Sequence, residues 1–255
     1  MRRREKFVIA AILLSFGLLG VQVTALDFRY WAVLAFFVVT YLVSSWALHD
    51  DLQPHERLTI VPFPALYAVS VSLFYFLLPP NVLSRILLLV FFGVGMYAIY
   101  LTANIFSVAK GRTIQLVHAA QAISLIVTLV TSLLLSNTVF SLKFPFFLNG
   151  LFIGVLHFPL IFTSLWSVNL EQKIQKETLQ LSTVLALILA EVGVIISFFP
   201  LSVWYDALFV MSLLYIGVGI LQAALKGRLF TRTLTEYSLV ALFIALVFAF
   251  VVPLK

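Results

Sequence analysis

Apolar runs of about 20 residues, broken by short clusters of charge, Pro and Asn, recur along the whole chain. A helix needs about 20 apolar residues to cross a hydrocarbon core of roughly 30 Å. Cutting the chain at the polar clusters leaves nine segments, at residues 7–26, 28–48, 58–78, 82–107, 113–136, 145–168, 179–199, 201–224 and 235–251. All are too long for strands, and a membrane β-barrel would show ten-residue stretches of alternation instead. The pattern predicts an all-α polytopic transmembrane helical bundle of about nine spans, forming one integral membrane domain over residues 1–255.

Composition agrees. Of 255 residues, 63% are apolar and 10% charged, against roughly 45–50% and about 25% in soluble domains. A soluble enzyme, a disordered tail and a disulfide scaffold are thereby excluded. The net charge of +6 resides in short clusters between apolar runs, with no aromatic-interleaved basic face, so the expected partner is the lipid bilayer and not nucleic acid. Zero Cys excludes thiol nucleophiles and Cys-ligated metal sites.

The basic residues also predict orientation. With a cytoplasmic N-terminus, that side holds Arg2, Arg3, Arg4, Lys6, Arg57, Lys110, Arg112, Lys173, Lys176, Lys226, Arg228 and Arg232. The other side holds Arg29, Arg85, Lys143 and Lys255. The bias gives an N-in, C-out, multi-pass topology. Arg2 to Lys6, the apolar run behind them and Val23-Thr24-Ala25 have the order of a signal peptide, but the run is long for one and is read as a span.

An offset of about 109 to 121 residues brings several landmarks into register. Ala65-Leu66 through Pro79 matches Ala186-Leu187 through Pro200, and Lys110-Gly111-Arg112 matches Lys226-Gly227-Arg228. The expectation is a four-helix unit occurring twice, at 1–109 and 110–225, with the helix at 235–251 added. Because four is even, the two units point the same way, as in parallel-repeat transporters.

Against this background a few residues stand out. Glu191 lies about midway through the seventh segment. Such residues usually face the bundle interior or a cavity, since insertion scales charge about 2.5–3.5 kcal/mol for Asp, Lys or Arg at a helix centre. It reads either as a proton or cation site or as a neutral acid hydrogen-bonded across a helix interface. His157 lies at similar depth, two residues before Pro159, and is expected to approach Glu191, because pairing lowers the cost of burying either. Asn104, Gln115, His118 and Gln121 surround the turn between the fourth and fifth segments and predict a polar vestibule or interhelical hydrogen bonds. His49, Asp51 and His55 crowd the first polar loop as weak metal candidates, without a recognised ligand spacing. No G-x-S-x-G, Walker A, G-x-G-x-x-G or H-E-x-x-H occurs, and no cofactor is called for.

The block from Leu101 to Ala109, continuing through Arg112-Thr113-Ile114-Gln115-Leu116, and Glu56-Arg57-Leu58-Thr59 running into Pro62, resemble uncharacterised polytopic bacterial membrane proteins of unknown function. The resemblance covers about a third of the chain and implies the bacterial inner membrane. Three functions are open at this point. The first is a carrier for a small or lipid-like solute, working through Glu191 and His157. The second is a non-catalytic scaffold or assembly partner for another membrane protein. The third, weaker, is a lipid-modifying enzyme using the loop from His49 to Arg57.

Overall fold

The computed structural model describes residues 3–49, 59–79, 81–109, 116–170 and 175–251. Among them are nine α-helices and no strand: α1 (Arg3–Val23), α2 (Arg29–Ala47), α3 (Pro62–Tyr75), α4 (Val82–Val108), α5 (Leu116–Ser141), α6 (Phe146–Asn169), α7 (Lys176–Ile196), α8 (Val203–Leu225) and α9 (Thr231–Val251). A 3-10 turn, Leu26–Phe28, joins α1 to α2. Eight helices are long and apolar enough to cross a membrane.

The outward surface shows what solvent the helices are built for. Phe16, Trp31, Val94 and Phe250 are 65–88% exposed, an arrangement that water penalises and hydrocarbon accepts. Tyr30 and Trp31 open α2 while Trp204 and Tyr205 open α8, all four exposed at helix ends where amphipathic rings settle at the lipid–water boundary. The chain is a multi-pass membrane protein.

The helices fall into two compact units, Met1–Val127 and Thr128–Lys255. The boundary cuts through α5 and not through the polar turn before it.

In the first unit, the ring of Phe7 stacks on Tyr100 at 6.0 Å, and Ser44 bonds the Tyr100 hydroxyl at 2.9 Å. The start of α1 therefore lies beside the ends of α2 and α4. At the opposite end, the Tyr75 hydroxyl donates to the Gln22 carbonyl at 3.2 Å, and Arg85 lies over the Tyr75 ring at 5.8 Å. Between the end of α2 and the start of α4 the chain thus runs the length of the unit, and α3 is the helix that carries it. At 14 residues, or about 21 Å, α3 is shorter than the predicted 58–78 segment. Pro62 and Pro64 have no N–H to donate and so fit the first helical turn. Beyond Tyr75 the backbone tightens into three-residue turns through Leu78, before Pro79. Ala65, Tyr67, Ala68, Ser70, Val71 and Ser72 are each almost wholly enclosed. Stacking of Tyr67 on Phe92 at 5.6 Å anchors α3 to α4, and the Asn81 side chain caps α4 by accepting from the Ser84 amide at 2.7 Å.

In the second unit α6 and α7 are in extensive contact. It is made by small residues at four-residue spacing, Gly150 and Gly154 on α6 against Ala186 and Ala190 on α7. Lipid offers no hydrophobic drive for helices to associate, so close backbone approach and its dispersion contacts hold them together. A Cβ on Gly150 would come within 2.8 Å of the Ala190 carbonyl oxygen. The α8–α9 turn needs a left-handed residue, Gly227 at φ 63°, with Gly227 N–H donating to Ala224 and Arg228 N–H to Ala223, which closes the end of α8. Packing of α9 falls largely on α8, through Tyr237 against Tyr215 and Phe248 against Phe209, and none of its residues is buried.

Candidate functional site

His157, at the centre of α6, is completely enclosed. Its Nδ1 lies 2.7 Å from the Ile153 carbonyl. A carbonyl can only accept, so Nδ1 donates, and in the neutral ring Nε2 then offers a lone pair. The Ser132 hydroxyl on α5 lies 2.8 Å from that atom, with Ser136, one turn further along, at 3.4 Å. Thr128, one turn before Ser132, meets Ser164 Oγ at 3.4 Å. The Ser164 carbonyl accepts from Gln222 of α8 at 3.0 Å. Hydroxyls four residues apart on α5 therefore line up on one face and key into His157 and Ser164, seven apart on α6. This seam fixes the antiparallel register of the two helices.

A Ser hydroxyl bonded to Nε2, with Nδ1 held by a carbonyl, has the polarity of an activated nucleophile. Its burial dictates otherwise, because Ser132 and His157 are both completely enclosed. The Ser132–His157 pair works as polar glue between helices.

Glu191 is elsewhere. On α7 the packed face carries Ser182, Leu185, Ala186, Leu189 and Gly193, and the opposite face exposes Val184, Leu187, Ile188, Glu191 and Ile195. The expected approach of Glu191 to His157 is not found: both ring nitrogens are engaged by Ser132, Ser136 and Ile153, and the carboxylate lies on the outward surface. The physical reason is the face Glu191 occupies: Ala186, Ala190 and Gly193 let α6 approach closely, which turns their side of α7 inward together with Leu185 and Leu189, and leaves Glu191, on the opposite face, outside. Within α7 (Lys176–Ile196), Glu191 lies about 22 Å from the start and about 7.5 Å from the end. It is an acidic side chain on a surface otherwise suited to hydrocarbon.

Asn104 is half-buried near the end of α4, Gln121 is buried in α5, and His118 is exposed in the first turn of α5. His49 is exposed just beyond α2, while Asp51, His55 and Gln115 lie outside the described residues. No group of three His, Asp or Glu among the described residues is placed to hold a metal ion.

Two of the surface grooves are lined by described residues. One, of about 290 Å³, lies between α1 and α4 and is lined by Val8, Ala11, Ile12, Ser15, Gly93, Val94 and Tyr97. The other, of about 220 Å³, lies between α8 and α9, with Tyr205, Phe209, Phe243 and Phe248 on its walls. Neither contains Glu191 or His157. At the end of the second unit where α6 and α8 begin, buried Asn149 and Asp206 each have one side-chain oxygen without a hydrogen-bond partner among the described residues. Nothing in the chain's composition flagged Asn149, whose amide donates to Ser197 at 3.0 Å across the α6–α7 contact. The polar residue so close to Gly150 was the available signal.

No curated protein and no solved structure matches this chain. A family model described as "Protein of unknown function (DUF5656)" matches residues 9–252, nearly the whole length, and the chain belongs to that family.

Proposed function

We propose that this protein acts by assembly within the membrane, its α7 face docking against another membrane-embedded helix. The observation that carries this reading is Glu191, an acidic side chain on the exposed apolar face of a candidate membrane span. Hydrocarbon leaves such a group unsatisfied, and a helix bearing a donor at the same depth supplies what the bilayer lacks. A carrier working through Glu191 and His157 needs a polar cavity shared by both. The two residues are held apart, and the grooves described lie elsewhere and are largely apolar.

The orientation proposed with it is N-terminus cytoplasmic and C-terminus outside, in a bacterial cytoplasmic membrane. The basic-residue bias supports it, as does the course of the first unit, in which α3 completes the third passage. The proposal keeps the duplicated four-helix unit. Under it Ser70 of α3 corresponds to Glu191 of α7. Ser70 is buried and donates to the Tyr67 carbonyl at 2.8 Å, so the position enclosed by helices in one unit is open in the other.

Photo-reactive side chains at positions 188 and 195, beside Glu191, test the reading in native membranes. The expected result is a discrete protein adduct that Glu191→Leu weakens. Adducts to lipid alone, at a level unaffected by Glu191→Leu, would overturn it.

A further inference from the structure

We infer that the second unit binds an alkali cation where the first turns of α6 and α8 meet the end of α7, with the side-chain oxygens of Asn149 and Asp206 among its ligands. The site involves neither Glu191 nor the exposed face of α7, so it stands or falls apart from the assembly reading.

Helix register brings the two residues to one level. Leu185 of α7 packs against Gly217 of α8. Along this antiparallel pair, eleven residues on from Leu185 is Ile196 and eleven back from Gly217 is Asp206, three turns away and within about 20° of the same face. Asp206 is therefore level with the last residue of α7, on the side of α8 that meets it. The parallel pair α6 and α8 agrees: Gln222 donates to the Ser164 carbonyl, and fifteen residues back along each helix are Asn149 and Ala207. Asn149 in turn reaches Ser197, next after Ile196, at 3.0 Å. Both side chains are more than nine-tenths buried, Asn149 at 5% exposure and Asp206 at 7%.

The hydrogen bonds decide what such a place can hold. Both hydrogens of the Asn149 amide are spent, on Ser197 Oγ at 3.0 Å and on the Phe144 carbonyl at 3.2 Å, and the Ser197 hydroxyl donates to the Gly193 carbonyl at 2.7 Å. Turning the amide over would lose two bonds, so the atom left without a donor is its oxygen, as is Asp206 Oδ1 among the described residues. Acceptors alone remain, and they call for positive charge.

Among the described residues Asp206 has no ion-pair partner, and Lys143, in the turn before α6, is exposed. A buried carboxylate is costly without compensation, and one carboxylate matches one positive charge. A water brings no charge. A proton on Asp206 offers Asn149 a single hydrogen bond and leaves the other lone pairs of both groups unused, whereas a hard cation is coordinated by several oxygens at once. The carbonyl end of α7, at the same level, also favours positive charge. Placement at the helix ends lets a hydrated ion arrive without crossing hydrocarbon.

Thermal unfolding of the purified full chain in detergent at neutral pH tests the site, in choline, Li+, Na+ and K+ chlorides at equal ionic strength. An ion that binds only the folded state stabilises it by mass action, so at least one alkali salt should raise the transition roughly 4–10 °C above choline, saturating with concentration. Asp206→Asn, whose amide can donate to Asn149, should fold and be indifferent to the salt. Asn149→Ala should raise the half-saturating concentration about five-fold or more, and Glu191→Gln should respond as the unaltered chain does. Equal transitions in all four salts overturn the site, and a transition that instead rises as pH falls, alike in every salt, assigns the charge to a proton on Asp206. A salt response that survives Asp206→Asn is general screening and overturns the site as well.

Discussion

The Ser132 hydroxyl and His157 Nε2, on successive antiparallel helices, are 2.8 Å apart at the centre of the second unit, and Ser136 stands at 3.4 Å from the same nitrogen. Such a bond averages about 0.6 kcal/mol in membrane proteins and reaches about 1.7. Ser132→Ala leaves Ser136 in reach of Nε2 and is expected to fall within that range. The double variant Ser132→Ala/Ser136→Ala strands a buried acceptor and should cost about 1–3 kcal/mol. Unfolding in bicelles measures both. If the double variant is no worse than the single, Ser136 is not a partner.

The same equilibrium separates His157 from Glu191. Residues in contact couple by about 0.5–3 kcal/mol in double-variant cycles, whereas distant ones add within about 0.5. Ser132→Ala with His157→Leu should therefore be non-additive, and His157→Leu with Glu191→Gln additive. Strong coupling in the second pair would mean that the two meet after all.

The α6–α7 contact gives a steric prediction. A Cβ on Gly150 would meet the Val194 side chain at 2.5 Å and the Ala190 carbonyl oxygen at 2.8 Å, whereas one on Gly20 would meet nothing within 4 Å. Backbone cannot yield as a flexible side chain does, so Gly150→Val should destabilise by about 1–3 kcal/mol or more. Gly20→Ala, on an exposed helix face, should be neutral or stabilising by up to about 1 kcal/mol. Thermal denaturation in one detergent compares the two directly.

Hydropathy made eight of the nine helices legible, because a 20-residue apolar run has few alternatives in a membrane. It overestimated α3, since an apolar run does not reveal where Pro62 and Pro64 place the first turn. The expected partner of His157 was misread for a different reason. Its oddity was visible, but the hydroxyls that satisfy it recur every fourth residue at 128, 132 and 136, a pattern easily taken for neutral filler. Which way Glu191 faces could not be read from apolar periodicity, as both faces of α7 are apolar. The packed face is marked by its small residues, Ser182, Ala186 and Gly193, which lie inside along with Leu185, Leu189 and Ile196, while Leu187, Ile188 and Ile195 lie outside. Gly150-x-x-x-Gly154 on the neighbouring helix was the companion signal.

Whether α3 completes a crossing can be read from its two flanks. Contacts of Tyr100 with Phe7 and Ser44, and of Tyr75 with Gln22 and Arg85, put the end of α2 and the start of α4 at opposite ends of the unit. In the Cys-free chain, His49→Cys and Val82→Cys should accordingly react with an impermeant thiol reagent from opposite sides of the membrane. Labelling from one side would return α3 to a re-entrant path and place both termini on the same face.

The last helix is held differently from the others, and its attachment should be separable. No residue of α9 is buried. Two of its side chains make its aromatic contacts, Tyr237, beside Tyr215 and over the side of α8 left open by Gly219, and Phe248, at 4.5 Å from Phe209 and 5.6 Å from Phe199. Its nearby ion pair, Arg232 with Glu236 at 3.2 Å, is fully exposed within one helix and fastens nothing to α8. Gly219→Val fills the space that the Tyr237 ring occupies, and Phe248→Ala removes the other contact, so the double variant should detach α9 while α6, α7 and α8 keep their own small-residue and hydrogen-bonded contacts. The expected signature is faster protease cleavage after Arg228, in the turn before α9, and after Arg232, in the first turn of α9, with little change in the main thermal transition. A cooperative loss of the whole transition would show instead that α9 carries the stability of the unit it appears only to flank.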